Sequence, residues 1–361
     1  MIRSNSNESA TGRDASGRAA RSRWGFLAFV AGLATRPYIG GQAVLEGVMM
    51  RSPTSFVVAV RRPDGGIAVR SQPWDNLFTR YRLFRLPLFR GAVVLVESLW
   101  NGLAALNFSA EHAAPEEEGK PAEKPGQLAI GMTLAVSLLF GLALFVGLPH
   151  LLTWGLGQLA GHPLDTTAFA FHVIDGVLRL AVFLAYLGAI SRLPDIRRVF
   201  QYHGAEHKSI WAYEKETSLT VDDAAAQSTL HPRCGTSFLL LVVGVSIVLF
   251  ATVFPMIPRL AEGELPNTLL QMLVKIPLML PVAGLSYELQ RASARCPTNP
   301  ILRALTAPGL WLQRVTTQEP TRDQLEIAVI AMRRCIAYEE GKLVGDGVKL
   351  FRDFDGAIAV P

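Results

Sequence analysis

Leu128–Leu148 reads LAIGMTLAVSLLFGLALFVGL, a run without one charged side chain. A helix needs about 20 apolar residues to cross a bilayer, so this stretch sets the class of the chain. Three later runs approach the same length. Phe169–Ile190 is interrupted by Asp175 and Arg179. Phe238–Ile257 is clean. Leu269–Leu289 is interrupted by Lys275 and closes on Tyr287-Glu288. Charged residues within spans belong against protein rather than lipid. The chain of 361 residues is 50% hydrophobic and only 18% charged, which favours a membrane protein over a soluble enzyme. The expected fold is an α-helical polytopic membrane protein with about four transmembrane helices. A small cytoplasmic β-containing N-terminal region and a C-terminal soluble helix complete it.

Lysine and arginine set the orientation. The first hundred residues are rich in Arg, and the loop 149–168 has neither Lys nor Arg. The loop 191–235 carries Arg192, Arg197, Arg198, Lys208, Lys215 and Arg233. The loop 258–268 carries Arg259, and the tail carries Arg291, Arg295, Arg303 and Arg314. Four spans with both termini in the cytoplasm fit this alternation. The run 91–108 is short and broken by Glu97 and Asn101. It is expected to be interfacial or re-entrant, because a fifth span would put the Arg-rich N-terminus outside.

Outside the spans the chain divides by composition. Residues 1–37 are a basic tail expected to be disordered, ending in the short apolar run Trp24–Leu33. Residues 38–108 begin with a hairpin signal, Ser55–Arg62 and Ile67–Ser71 around Pro63-Asp64-Gly65-Gly66. Between 75 and 90, Arg80, Arg82, Arg85 and Arg90 interleave with Phe78, Tyr81, Phe84 and Phe89. Beside a bilayer this strip suits anionic headgroups, and no nucleic acid is expected. Residues 109–127 are a Glu-Lys-Pro linker, 128–290 the membrane domain, and 291–361 a cytoplasmic tail. In that tail Thr321 and Gln324 form a capping box before Leu325, Val329, Met332 and Ile336. Cys234, Cys296 and Cys335 are too few for a disulfide framework and fit a reducing compartment.

The candidate chemistry lies in Tyr202-His203-Gly204-Ala205-Glu206-His207-Lys208, in the loop after the second run. Histidines four apart share one helix face, and with Glu206 they make H-x-x-E-H, the reverse of the zinc-protease pattern. In that chemistry the histidines hold a divalent metal, zinc by donor type. The glutamate takes a proton from a water the metal polarises. A third ligand is open between Glu288, His231 and Cys234, all expected on the same membrane face. Glu214 could ligate or orient a ligand. Arg233 or Lys208 could steady developing negative charge. Glu46, acidic within an apolar Gly-flanked run, is either an exposed strand residue or part of the site. If both His231 and Cys234 join the histidine pair, the site is closed and structural; an open position makes it catalytic. The plain alternative is a polar helix with two ordinary histidines. The functional reading is a metal-dependent hydrolase at the cytoplasmic face, acting on a membrane-associated lipid or peptide. A metal-stabilised membrane scaffold is the first alternative. A small-solute transporter, suggested by Asp175, Arg179 and Lys275, is the second.

Four segments carry a family resemblance. Gly40-Gly41-Gln42-Ala43-Val44-Leu45-Glu46-Gly47-Val48-Met49-Met50-Arg51 resembles the opening signature of the bacterial YqhQ-like family, a domain of unknown function. The Tyr202–Lys208 stretch, His231-Pro232-Arg233-Cys234-Gly235-Thr236-Ser237-Phe238 and Ser286-Tyr287-Glu288 resemble later ones. The resemblance extends from about Ile39 to about Glu340. It implies a metal-dependent enzyme of the bacterial cytoplasmic membrane, with no substrate attached.

Overall fold

Ser55–Arg61 (β3) and Ile67–Pro73 (β4) pair as the hairpin that their β-rich runs and the Pro63-Asp64-Gly65-Gly66 turn predict. In the turn, Asp64 Oδ1 accepts the Gly66 N–H at 2.9 Å and Gly65 takes a φ of 83°, open to a residue without a Cβ. Gly40–Val44 (β1) and Gly47–Arg51 (β2) pair antiparallel around Leu45-Glu46. Gly347–Phe351 (β5), from the far end of the chain, adds antiparallel to β4. The sheet order is therefore β1-β2-β3-β4-β5.

The computed structural model describes residues 37–74, 81, 84, 86, 89–114, 127–161, 165, 168–296, 298–343 and 347–359. The basic tail, the run Trp24–Leu33, Arg80, Arg82 and Arg85 of the basic strip, and linker residues 115–126 lie outside them. Ile39–Pro361 clusters as one unit.

Both faces of the sheet are covered, which explains why Phe56–Val60 is apolar throughout rather than alternating. Val48, Met50, Val57, Ala59, Ile67 and Val69 face one core. Val44, Met49, Phe56, Val58, Val60 and Ala68 face the other. The second core is closed by Ala105 and Phe108 of α1 (Phe89–Ala113). The first is closed by two helices described below.

After α1, α2 (Gln127–Leu142) passes through a π-helical turn, Ala143–Gly147, into α3 (Leu148–Leu159). The expected loop from 149 is thus helical to Leu159. Pro149 lacks the N–H a helix would use, and the π turn beside it absorbs the break in register. Then come α4 (Phe169–Ile190), α5 (Pro194–Glu214), the short α6 (Val221–Ala225) and α7 (Gly235–Val253). A 3₁₀ turn, Phe254–Met256, extends α7. α8 (Glu264–Arg295), α9 (Pro300–Thr316), α10 (Arg322–Glu339) and α11 (Phe354–Ile358) finish the chain. α4, α8 and α9 pack on α7; α3 packs on α4, and α1 on α8. α5 and α10 pack together against the sheet. Ile327–Met332 of α10 is buried on every side, and the Thr321–Gln324 capping box starts the helix where expected.

Among the described residues, five helical stretches are long and apolar enough to cross a membrane, not four. They are Phe89–Ala113, Gly131–Leu159, Phe169–Ile190, Gly235–Met256 and Leu269–Ser293. The extra one is α1. It runs on both sides of the 91–108 stretch, and the polar residues that break that stretch do not face outward. Glu97 and Asn101 are each 2% exposed; Glu97 lies 3.7 Å from Arg51 of β2. The outer residues of α2, among them Val136, Leu138 and Leu139, are exposed and apolar, a surface that suits lipid.

Candidate metal centre

α5 begins at Pro194, whose missing N–H costs nothing in a first turn, with Asp195 favourable at the N-terminal dipole. Two turns later His203 and His207 stand one above the other, with ring centroids 4.4 Å apart. Each is oriented from outside the helix. His203 Nδ1 donates to the Thr316 carbonyl at 2.8 Å, and His207 Nδ1 donates to the Thr229 carbonyl. A carbonyl only accepts, so both protons sit on Nδ1 and both Nε2 atoms present lone pairs. This is the orientation that carbonyl partners impose on metal-binding imidazoles.

The approach of Thr316 depends on Gly204. The chain after α9 crosses α5 there, and Gln318 N donates to the Phe200 carbonyl at 2.9 Å. A Cβ on Gly204 would lie 2.0 Å from the Gln318 carbonyl oxygen.

Cys234 is the third member. It caps the start of α7, accepting the Thr236 N–H at 3.4 Å, and its Sγ lies 3.2 Å from His203 Nε2. Ligand atoms of His203, His207 and Cys234 all lie within 4.8 Å of one another. His207 Nε2 is buried with no hydrogen-bond partner.

Glu206 lies beside this group. It is 5% exposed, and its Oε2 is 3.9 Å from His203 Nε2. Burial raises its pKa above the usual carboxylate range, while His203, His231 and a hydrogen bond from the Gly41 backbone pull the other way. Gly41 of β1 roofs the carboxylate: a Cβ there would sit 2.7 Å from Glu206 Cγ. Burial lowers the His207 pKa and takes that of His231 to about 4, so both rings are neutral at neutral pH.

His231 is near but differently disposed. Its Nδ1 accepts the Arg233 N–H at 3.3 Å, which puts its proton on Nε2, and Nε2 faces Glu214 Oε1 at 3.4 Å. The ring therefore presents no lone pair to the His203–His207–Cys234 group. Its backbone is clamped by Gln313 of α9. Gln313 Oε1 accepts the His231 N–H at 2.8 Å, and Nε2 donates to the His231 carbonyl at 2.8 Å and to Ser237 Oγ at 2.9 Å.

The profile described as "Protein of unknown function (DUF1385)" matches residues 86–338. The "Uncharacterized protein YqhQ" of Bacillus subtilis (strain 168) is 33% identical over 314 residues, 84% of this chain and 93% of that protein. The chain belongs to the YqhQ-like family. No solved structure matches it.

The YqhQ-like signatures are distributed unevenly around the centre. The Tyr202–Lys208 and His231–Phe238 segments supply His203, Glu206, His207 and Cys234, and the Gly40–Arg51 segment supplies Gly41. Glu288, from the Ser286–Glu288 segment, is placed elsewhere: its carboxylate makes a two-pronged ion pair with Arg90 of α1. Two residues on along α8, about half a turn away, Gln290 Nε2 donates to the Cys234 carbonyl at 3.2 Å. Glu214 pairs with Arg233 and faces His231. Lys208 Nζ donates to the Ala225 and Gln227 carbonyls, each at 2.8 Å, and pairs with Glu319 at 2.7 Å. It ties loops together and does not face the centre. Glu46, at φ 51° in the β1–β2 turn, binds Arg198 and accepts from Tyr202 Oη at 3.3 Å, docking the hairpin on α5.

Sequence reasoning missed Gly41, Gly204, Gln313 and the two carbonyls. The paired glycines at 40–41 and the glycine inside H-G-A-E-H were visible as oddities in a strand and a helix. A single glutamine on α9 carries no signal.

Proposed function

We propose that this YqhQ-like protein is a metal-dependent hydrolase at the cytoplasmic face of the bacterial cytoplasmic membrane. One observation carries the reading. The buried His207 and the half-buried His203, each fixed by a backbone carbonyl so that the proton sits on Nδ1, converge with a cysteine sulfur while a buried glutamate lies alongside.

The residues fit a zinc-type ion. Nitrogen and thiolate donors suit it, and the unpartnered, buried Nε2 of His207 is explained by it. His203, His207 and Cys234 would hold the ion. Three protein ligands leave one position open, the pattern of a catalytic rather than a structural site. The bound ion would supply Lewis acidity, lowering the pKa of a water toward neutrality. Glu206 is the general base. Its burial favours the protonated state and the Gly41 N–H and His203 favour the ionised one, so it can accept a proton and return it to a leaving group. Gly41 holds the carboxylate's position, and Thr229 and Thr316 hold the imidazoles.

The site lies where α4 ends and α7 begins, between the helix bundle and the sheet. With Lys and Arg concentrated on that side, we place it in the cytoplasm together with both termini. We place α1 along the membrane surface, because its Ala105–Phe108 stretch covers the sheet while Leu99 and Trp100 face outward at 66% and 71% exposure. A substrate that is a lipid or a membrane-associated peptide suits this position.

Metal content of the detergent-purified protein tests the reading, measured by mass spectrometry beside three variants. Near-stoichiometric zinc or iron is expected in the wild type and in Glu206→Gln. It should be lost in His203→Ala/His207→Ala and reduced in Cys234→Ala. Glu206→Gln should also fail to complement a deletion strain; full complementation would point to a scaffold. Absence of metal after purification without chelator and exposure to several divalent ions would overturn the proposal.

A further inference from the structure

A second polar cluster lies within the helix bundle, at the opposite end from the histidine pair. α8 carries Gln290 at the Cys234 end and Lys275 fifteen residues earlier, about 22 Å away at 1.5 Å per residue. α4 carries Asp175 and Arg179 near its start, and α3 carries His150. All are buried: Asp175 is 2%, His150 3%, Lys275 5% and Arg179 9% exposed. Gln271, one turn before Lys275 on the same face of α8, is 1% exposed.

The charges here do not balance. Arg179 Nη2 donates to Asp175 Oδ2 at 2.8 Å, and Lys275 Nζ approaches the same oxygen at 3.4 Å. Two cations share one carboxylate. Both also lie by the Phe250 ring, at 5.8 and 5.7 Å from its centroid, which softens the excess positive charge without cancelling it. Several polar atoms of the group have no hydrogen-bond partner: both ring nitrogens of His150, Asp175 Oδ1, Arg179 Nε, and both amide atoms of Gln271. His150 Nδ1 stands 3.8 Å from Asp175 Oδ1, beyond hydrogen-bond reach. Buried charge in a membrane-spanning layer is costly and marks sites of binding or passage. Orphaned polar atoms call for an occupant.

We propose that this cluster binds a small oxyanion of phosphate type. A monoanion would neutralise the surplus cation. Its oxygens would accept from Lys275, Arg179 Nε, Gln271 Nε2 and a ring N–H of His150. A hydroxyl, the phosphate O–H of a free anion or a glycerol O–H of a headgroup, would donate to Asp175 Oδ1 or Gln271 Oε1. The anion could arrive free in solution or as an anionic lipid's headgroup, and the two are separable. The site stands independently of the histidine centre.

The test is thermal unfolding of the full chain in nonionic detergent at constant ionic strength, titrated with inorganic phosphate against chloride, and separately with phosphatidylglycerol. Ligand that binds only the folded state raises Tm with its concentration. A Tm rise in the wild type and in His203→Ala/His207→Ala is expected, lost in Lys275→Met and reduced in Gln271→Leu. A rise with phosphate identifies a free anion, and a rise only with phosphatidylglycerol identifies the headgroup. Should Lys275→Met fail to fold, Gln271→Leu reads the same loss without altering charge. No rise with either probe, or an equal rise in Gln271→Leu, would overturn the assignment.

Discussion

Gly204 shows how much can rest on one absent side chain. Its neighbours His203, Glu206 and His207 draw the eye in sequence, yet the glycine admits the Gln318 carbonyl against α5. A methyl group at 2.0 Å from backbone oxygen cannot be relieved by a rotamer change. Gly204→Ala should therefore lower stability by about 1–3 kcal/mol and loosen the carbonyl that orients His203. Thermal unfolding and metal stoichiometry measure the two effects; an unchanged Tm would refute the packing argument. Gly41→Ala should press on both the Glu206 side chain and the Met49 carbonyl oxygen, 2.7 and 2.8 Å from the added Cβ, displacing the Glu206 carboxylate and parting β1 from β2 while metal content stays near that of the wild type. At this scale the motif was legible and the side chain that joins the two histidines was not. Glu288, His231 and Cys234 were equal candidates by residue type. Only the direction of each lone pair and the Arg90 pairing of Glu288 separate them.

At the scale of elements, α10 is more than the packing helix its spacing suggested. It is the central rod against the sheet, and Cys335 sits wholly buried beneath Ser55 of β3, 3.3 Å from its hydroxyl oxygen. Burial raises the thiol pKa from 9.0 to about 11. The folded state therefore favours the neutral thiol. Its stabilisation is complete below pH 9 and is lost as pH rises from 9 through about 11, by about 2–3 kcal/mol in all. Unfolding midpoints measured from pH 8 to 11.5 should fall in the wild type and fall less in Cys335→Ala. Gln313 is the corresponding device on α9. Gln313→Leu leaves the His231 N–H, the His231 carbonyl and Ser237 Oγ without their partner. The expected cost is about 2–4 kcal/mol, with faster amide exchange confined to 228–236. Exchange unchanged in that loop would show that something else holds it.

For the whole molecule, β5 joins the last residues of the chain to a sheet that starts at Gly40. Truncation before Gly347 should uncover the β4 edge, and an unpaired edge invites association. Larger aggregates on size-exclusion chromatography are expected, and a monodisperse truncated protein would contradict this. The placement of α1 has its own consequence. A single cysteine replacing Trp100 should react with membrane-impermeant thiol reagent from the cytoplasmic side or be shielded at the interface. Labelling from the outside would make α1 a crossing helix.

What the amino-acid order determined alone is set by local physics. Runs of apolar residues become long helices, a Pro-Asp-Gly-Gly turn between β-branched stretches becomes a hairpin, and a Thr-x-x-Gln box starts a helix. Histidines four apart share a face for the same reason. Each of these is decided within a few turns of chain, so it survives reading in one dimension. Tertiary structure decided the rest, because it depends on which distant atoms meet. It turned Glu97 and Asn101 inward on the sheet, so that a run that looked broken became a continuous helix of spanning length. It brought Cys234 to the histidines across the α7 cap and sent Glu288 to Arg90. It set Asp175 between Arg179 and Lys275 from another helix. Ion pairs, lone-pair directions and close glycine contacts act over a few ångströms between segments tens to hundreds of residues apart, and spacing along the chain does not encode them.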